Sequence, residues 1–447
     1  MLRLHDTALG RVVDVVPDDQ PTVSMYVCGP TVYDVPHLGH GRFSLVFDVL
    51  RRYLEWKGHD VRYVSNITDV DDNILNRAAR EGRSAQSVVD EYEAVWWSAM
   101  DALGVKRPTA DPHATAFVDR MVTLIGELFE AGYAYTTSDG VYMDVSRVDG
   151  YGLLARQSLD SLRSGARVEA NEEKRSPIDF ALWKFSKAGE DLSWPSPWGD
   201  GRPGWHTECV VMSLDLLGEG FDIHGGGQDL AFPHHENERA QAVALGLAFA
   251  RHWVHNGFVE VGGEKMSKSL GNFTTLTDML ARTDARAYRL LVLRSHYRSP
   301  VEVTVATTDD ASAALARLDE FARNHPPSAG AVEPDPEALA QFRALMDDDL
   351  QTPQVVALLF DLVRRANTGD AGAAAAAHEI CRAVGLELLP GGGSEDVAAD
   401  AVALARQRDE ARARKDFATS DALRDRLQSM GYVVQDTPDG TRIRPAR

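Results

Sequence analysis

An alternation of apolar and amphipathic segments near the start of the chain limits the possible folds more than any other feature. TVSMYVCG (22–29) predicts a buried strand that ends at a glycine turn, and VRYVSN (61–66) predicts a second strand. Residues 37–58 and 69–82 carry apolar side chains at helical spacing, and each segment ends at a glycine. Strand, helix, strand and helix in this order predict a parallel sheet of the Rossmann type.

The rest of the chain departs from this order in two places. A helical segment, a hairpin turned at Asp139 and Gly140, and an irregular stretch rich in Pro and Trp predict an insertion before the β/α order resumes. From residue 306 the pattern is helical, and the last segment pairs two helices with a hairpin. We therefore expect an α/β chain divided as follows: a Rossmann domain (1–114 and 201–260), a connective insertion (115–200), a loop and stem-contact region (261–305), an α-helical bundle (306–390) and a small α+β C-terminal domain (395–447).

Composition narrows the class of protein and its compartment. The 447 residues carry a formal net charge of −20, which argues against binding nucleic acid by bulk attraction, although the last 47 residues hold 10 Lys/Arg against 7 Asp/Glu. No apolar run approaches the ~18 residues of a membrane span, so none is expected. MLRLHDTALG at the start has no apolar core, so we expect no secretory signal there. Three cysteines favour a reducing, cytoplasmic setting over a disulfide scaffold.

Two glycine-flanked motifs suit a nucleoside triphosphate. HLGHGR places His37 and His40 at a helix start, where Gly39 admits a ligand to the backbone and the imidazoles can donate to phosphoryl oxygens. KMSKS places Lys265 and Lys268 on a loop that could close over the same triphosphate. Each motif alone could equally be an exposed surface segment. Both motifs together, in this order within a chain of alternating strands and helices, indicate one nucleotide-binding site.

The stretch FPHHENERA is compatible with a metal site, a proton-transfer site or a polar helix face. On a helix, His234 and Glu238 lie four residues apart and share a face, whereas His235 points elsewhere. Two ligands do not complete a metal site. Cys28 and Cys209 lie beside the candidate motifs, and cysteines so placed in a reducing compartment are more often metal-binding or catalytic than disulfide-bonded.

These motifs resemble those of the cysteinyl-tRNA synthetases, a family of class I aminoacyl-tRNA synthetases, and the resemblance covers essentially the whole chain. It is carried, in order, by MYVCGPTVYDVPHLGHGR, NITDVDDNI, DFALWK, SPWGDGRPGWHTEC, GGGQDLAFPHHENE, KMSKSLGN, HYRSP, MDDDLQTP and KDFATSDALRDRLQSMGYVVQDTPDG. The resemblance implies ATP-dependent activation of L-cysteine and its transfer to tRNA(Cys), one zinc ion per chain, Mg-ATP as substrate, an anticodon-binding role for residues 395–447, and a cytoplasmic monomer.

The resemblance also implies roles for individual residues. The zinc ligands would be Cys28, Cys209, His234 and Glu238. The cysteine substrate would be bound by Thr68, Trp205, His206 and His224. ATP would be bound by Gly39, Gly225, Gly226, Gly227, Asp229 and Lys268, and the catalytic groups would be His37, His40, Lys265 and Lys268.

Zinc would solve a selectivity problem. An apolar pocket separates side chains that differ by one small group by only ~1–3 kcal/mol. Zinc prefers sulfur and deprotonates a coordinated thiol, whereas a serine hydroxyl is a far poorer ligand. No editing domain would then be required.

Two other functions stay open. A ligase of mycothiol biosynthesis also forms cysteinyl-adenylate but passes the cysteine to an amino-sugar inositol, and would not need residues 395–447, where Arg406, Arg408, Arg412, Arg414 and Lys415 fall on a predicted helix. A non-catalytic paralogue that senses zinc or nucleotide is disfavoured by the complete set of signature residues.

The chain departs from the usual family pattern at two positions. Phe43 stands where threonine is usual, and Gln351 stands where asparagine is usual; we expect neither difference to affect the chemistry.

Overall fold

A computed structural model describes residues 1–157, 173–187, 190, 192–261, 264–265, 275–327, 332–389, 399–414, 416–437 and 440–445. The strands are β1 (Leu2–Asp6), β2 (Arg11–Val16), β3 (Thr22–Val27), β4 (Asp60–Val64), β5 (Ala134–Thr136), β6 (Gly140–Met143), β7 (Phe180–Phe185), β8 (Gly201–Pro203), β9 (Ile223–Gly227), β10 (His252–Asn256), β11 (Val259–Val261), β12 (Glu264–Lys265), β13 (Val301–Glu302), β14 (Tyr432–Thr437) and β15 (Gly440–Pro445). The helices are α1 (Leu38–Trp56), α2 (Asp72–Glu81), α3 (Ala85–Ala102), α4 (Val118–Glu130), α5 (Trp205–Leu217), α6 (Glu236–Ala244), α7 (Leu276–Leu280), α8 (Ala285–Leu293), α9 (Val305–Asn324), α10 (Pro336–Asp347), α11 (Thr352–Asn367), α12 (Ala371–Ala383), α13 (Ala399–Ala413) and α14 (Phe417–Ser429).

The expected parallel sheet is confirmed. Its four strands run in the order β10-β9-β3-β4, and every neighbouring pair is parallel. Parallel neighbours need a crossover, which α1 supplies between β3 and β4. The carboxyl ends of the strands therefore meet at one edge, where ligands bind in open α/β sheets.

Two pairings were not expected from the sequence. An antiparallel hairpin of β1 and β2 begins the chain. The stretch interpreted as irregular contains β8, which extends the antiparallel insertion sheet to the order β5-β6-β7-β8. Glycines allow this close approach, because a Cβ at Gly201 or Gly204 would lie 2.2 or 1.9 Å from a carbonyl oxygen of β7.

Arg42 of the HLGHGR motif is a structural residue. Its side chain is buried and donates hydrogen bonds to the carbonyl oxygens of Phe258, Tyr297 and Ser299. Burial lowers the pKa of the guanidinium to about 10, which leaves it charged at neutral pH. The start of α1 is thereby attached to the residues that precede β11 and β13.

The chain divides into two units, Met1–Leu315 with Val332–Glu387, and Ala316–Ala331 with Leu388–Arg447. In the second unit, Ala401, Leu404 and Ala405 of α13 pack against Leu427 of α14. None of the helices in the described ranges has both the length and the apolar character of a membrane span.

The basic residues predicted to lie on one helix near the C-terminus differ in their environment. Arg408 is buried and donates to the Thr441 hydroxyl at 2.6 Å, while Arg406 and Arg412 are exposed. Arg414 follows the end of the helix, and Lys415 lies outside the described residues. Residue spacing alone could not separate the arginine that joins the helix to the hairpin from those facing solvent.

Candidate active site and metal centre

Three elements bring the sulfur and imidazole donors to the carboxyl edge of the sheet. Cys28 follows β3, and its N–H donates to the Gly225 carbonyl of β9 at 3.2 Å. Cys209 lies in the second turn of α5, and Glu238 in the first turn of α6. His234 lies in an irregular turn, residues 231–235, that leads directly into α6.

The four sequence-predicted ligands converge in one buried cluster. The Cys28 and Cys209 sulfurs lie 3.5 Å apart, and Cys209 Sγ lies 3.7 Å from His234 Nε2. His234 Nε2 is 3.1 Å from Glu238 Oε1, which is 3.5 Å from Cys28 Sγ. All four donor atoms lie within 4.8 Å of one another, close enough to hold one metal ion.

The prediction that His235 points away from this cluster is wrong. Its Nε2 lies 3.3 Å from Cys28 Sγ, and it forms a second buried quartet with Cys28, His224 and Glu238. The helical spacing argument failed because the turn at 231–235 is not regular helix: Phe232 has φ −144° and ψ 132°. Both histidines therefore face the shared donors. Pro233 was the available sequence signal, because the residue before a proline is biased toward extended backbone.

Further hydrogen bonds orient the imidazoles. His224 Nε2 lies 2.7 Å from Glu238 Oε2, and the Nδ1 atoms of His206 and His234 lie 2.8 Å apart. His235 Nδ1 lies 2.8 Å from His255 Nε2, a contact that the motifs did not suggest. Partners of this kind fix the ring orientation and tautomer of a metal-ligating histidine.

Burial sets the protonation of the cluster. It raises the pKa of both the Cys28 and the Cys209 thiols. It lowers the pKa of His206 and His255 to about 3. Burial also lowers the pKa of His234 and His235 well below its ordinary value, so without a metal ion these two imidazoles are neutral and the two thiols are protonated at neutral pH.

The metal-free protein is expected to lose stability as the pH falls below 6.5. Burial holds the pKa of four histidines in and beside the cluster below that value in the folded state, namely His206, His234, His235 and His255. The unfolded chain then binds more protons than the folded chain between pH 6.5 and about 3, so stability rises with pH across this window, by up to ~1.4 kcal/mol per pH unit for each histidine. Urea unfolding of chelator-treated protein at pH 5.5, 6.5 and 7.5 measures the slope. These imidazoles contribute no slope above pH 7.5, and a free energy of unfolding that stays constant from pH 7.5 to 5.5 would contradict the prediction.

The predicted substrate-contacting residues lie around this cluster. The Thr68 hydroxyl donates to Glu208 Oε2 at 2.8 Å and accepts from Asn66 Nδ2 at 3.2 Å. Burial raises the pKa of the Glu208 carboxyl well above its ordinary value. The indole of Trp205 is 36% exposed and stacks on His234, with ring centroids 3.9 Å apart. Asn66 and Glu208 lie next to predicted residues but were not themselves predicted.

The signature histidines form a reciprocal cap at the start of α1. The backbone N–H of His40 donates to His37 Nδ1 at 3.2 Å, and the N–H of His37 donates to His40 Nδ1 at the same distance. Because each Nδ1 accepts a hydrogen bond, each neutral ring carries its proton on Nε2. The two rings stack with centroids 3.7 Å apart at a helix N-terminus, where anions bind favourably.

The structure describes only some of the other residues that were predicted to bind ATP. A Cβ at Gly225 or Gly226 would collide with Phe47 or His235, so these glycines are also required by packing. A Cβ at Gly227 would lie 2.5 Å from the Asp229 carboxylate. Lys265 ends β12, and Lys268 lies outside the described residues. Glu236, which the sequence left unassigned, accepts from the Leu154 N–H at 2.6 Å and joins α6 to the insertion.

The chain is similar to class I aminoacyl-tRNA synthetases in sequence and in fold. Residues 14–313 match the family model of tRNA synthetases class I (C) catalytic domain, and residues 341–387 match the DALR domain. A Mycobacterium tuberculosis methionyl-tRNA synthetase with methionyl-adenylate superposes with a TM-score of 0.58 at 15% identity, covering 82% of this chain and 90% of that one. A LeuRS–tRNA complex of Agrobacterium radiobacter K84 gives 0.59 at 12% identity, covering 83% and 84%. The fold is that of a class I aminoacyl-tRNA synthetase.

More similar relatives identify the family within this class. Residues 394–444 match the cysteinyl-tRNA ligase anticodon binding domain. The chain is 45% identical to the cysteine–tRNA ligase of Halorhodospira halophila, with 100% of both chains covered, and 46% identical to that of Aromatoleum aromaticum, with 99% of both covered. The chain belongs to the cysteine–tRNA ligase family.

Proposed function

We propose that the chain activates L-cysteine with Mg-ATP and transfers it to the 3′-terminal adenosine of tRNA(Cys). In the first step a cysteine carboxylate oxygen attacks the α-phosphorus of ATP, and the bond to pyrophosphate breaks. In the second step a ribose hydroxyl of the terminal adenosine attacks the carbonyl carbon of cysteinyl-adenylate, and AMP leaves. Full-length similarity to cysteine–tRNA ligases supports this reaction.

The observation that carries the proposal is a buried sulfur-rich cluster at the carboxyl edge of the sheet, in a chain that also carries a capped pair of histidines at the start of α1. His37 and His40 present Nε2–H donors, which stabilise charge that develops on the phosphoryl oxygens. Lys265 and Lys268 are proposed to act on the same triphosphate from the KMSKS loop. The adenosine would be held by Gly39, Gly225, Gly226, Gly227 and Asp229.

The donor set fits zinc. Two thiol sulfurs, an imidazole nitrogen and a carboxylate oxygen within 4.8 Å are ligands that zinc takes in tetrahedral sites. Bound there, zinc would take the substrate thiolate as a fifth ligand, in preference to a serine hydroxyl, because zinc prefers sulfur. We assign Cys28, Cys209, His234 and Glu238 as its ligands, one ion per chain.

The chain's own side chains complete the amino-acid pocket. The Thr68 hydroxyl, held between Asn66 and Glu208, is placed to bind the substrate amino group or pack beside the thiol. Trp205 forms an exposed wall over His234. His206 and His224 are proposed to contact the cysteine substrate as well, and their hydrogen bonds to His234 and Glu238 hold them at the pocket.

The domain roles follow as part of the same proposal. Residues 1–114 with 201–260 would form the catalytic domain, 115–200 the connective insertion and 261–305 the KMSKS and stem-contact region. Residues 306–390 would form the helical bundle, and 395–447 would bind the anticodon. Cysteine usage is consistent with an enzyme that acts in the cytoplasm, and we expect it to act as a monomer.

Two assays on the same preparation test the function. Cysteine-dependent ATP–pyrophosphate exchange is expected, with a preference for cysteine over serine on the order of 10⁴, followed by charging of tRNA(Cys). Exchange without tRNA charging, but with transfer to an amino-sugar inositol, would instead establish the mycothiol-pathway ligase. Zinc or nucleotide binding with no exchange would establish the non-catalytic paralogue.

A further inference from the structure

Two aromatic side chains outside the binding motifs pack beside His40. Phe43 lies one turn further along α1, and Trp96 projects from α3. Their rings are nearly parallel, with centroids 6.1 Å apart and an interplanar angle of 22°. We call this pair the aromatic shelf. Phe43 is also the position at which the chain departs from the threonine usual in the family.

The shelf contacts His40 at right angles. The His40 and Trp96 centroids lie 5.7 Å apart at 86°, and the His40 and Phe43 centroids lie 6.2 Å apart at 76°. Tilted pairs of this kind are favoured by the ring quadrupoles. His37 stacks on His40 at 17°, so the imidazole is bounded by three rings.

The backbone cap alone does not fix the imidazole plane. The hydrogen bond to His40 Nδ1 sets the tautomer, but at 3.2 Å it tolerates some rotation of the ring. Trp96 is only 5% exposed, so the packing of α3 holds it in place. A threonine at position 43 would offer no ring to His40. The shelf therefore adds a second constraint on the orientation of the His40 ring, besides the cap.

We propose that Phe43 and Trp96 are positioning residues for the adenylation step: they hold the His40 imidazole so that its Nε2–H donor is aligned before ATP reacts. The proposal rests on the proposed function, because it concerns the same triphosphate. Donors stabilise a transition state best when they are already oriented, so a loosened imidazole should slow the chemical step more than it weakens substrate binding.

Trp96→Ala is expected to lower kcat of ATP–pyrophosphate exchange about 10-fold, with zinc content and the KM for cysteine unchanged. Trp96→Phe, which retains a ring, should recover most of the rate. Trp97→Ala is the matched control: the residue is next in the same helix, but its ring packs on Arg107 and its Nε1–H donates to Glu93. It should leave kcat near that of the unsubstituted protein.

A double-mutant cycle separates positioning from a general packing effect. In a His40→Ala background, Trp96→Ala should cause no further loss, because the shelf acts through the imidazole. Equal rates for the folded Trp96→Ala and Trp97→Ala proteins, or full additivity with His40→Ala, would overturn the proposal. Should Trp96→Ala fail to fold, Phe43→Thr provides the same comparison at the helix surface. An unsubstituted protein without exchange activity would refute the proposed function itself, which is a distinguishable result.

Discussion

Cys28→Ala is expected to release the zinc and to reduce discrimination between cysteine and serine from on the order of 10⁴ to about 10–200-fold, the range an apolar pocket reaches unaided. Cys28 is the only cysteine among the described residues that belongs to both possible metal quartets, so neither arrangement survives its loss. Metal content after dialysis and kcat/KM for exchange with each amino acid measure the two effects.

Cys381→Ala is the matched control for this variant. Cys381 is as buried as Cys28 but lies in α12, and the substitution removes the same sulfur atom. It is expected to keep both the zinc and the selectivity. A Cys28→Ala protein that retained one zinc per chain and its preference for cysteine would contradict the metal-site assignment.

His40→Ala is expected to lower kcat of exchange by about 10²–10³-fold, the usual effect of removing one donor that stabilises a developing oxyanion. The side chain supplies an Nε2–H because its Nδ1 accepts the His37 N–H. Zinc content and the KM for cysteine should not change, because neither the metal quartet nor the pocket residues include His40. Pyrophosphate exchange kinetics with saturating and limiting cysteine provide the measurement.

His40 also caps α1, so the rate effect must be separated from a stability effect. Alanine removes the reciprocal hydrogen bond and should cost about 1 kcal/mol of unfolding free energy. Glutamine at this third position of a helix restores such a cap. His40→Gln is therefore expected to recover the stability while the rate stays low; a full recovery of the rate would assign His40 a capping role alone.

Local patterns predicted the catalytic fold well. The apolar runs of β3 and β4 and the helical spacing of α1 are properties of neighbouring residues, and they specified a parallel sheet with its loops at one edge. The four metal-ligand candidates were also available from the sequence, but through resemblance of whole motifs. Spacing alone connected only His234 with Glu238.

Other features depended on contacts between distant residues. His235 faces Cys28 because residues 231–235 form an irregular turn, which no helical spacing rule describes. Arg408 is buried because the hairpin that follows α14 supplies Thr441 as its partner. Phe43 was set aside on sequence grounds, yet Trp96 from another helix places it beside a signature histidine.

The sequence by itself determined which elements form and which chemical groups the chain carries, because periodicity, caps and motifs act over a few residues. Only the tertiary structure decided how those groups face one another: which imidazoles surround the sulfur pair, which proton each signature histidine carries, and which aromatic rings hold it. The physical reason is that a hydrogen bond or ring contact depends on distances of a few ångströms between segments tens to hundreds of residues apart, and only the packing of the sheet and its helices sets those distances.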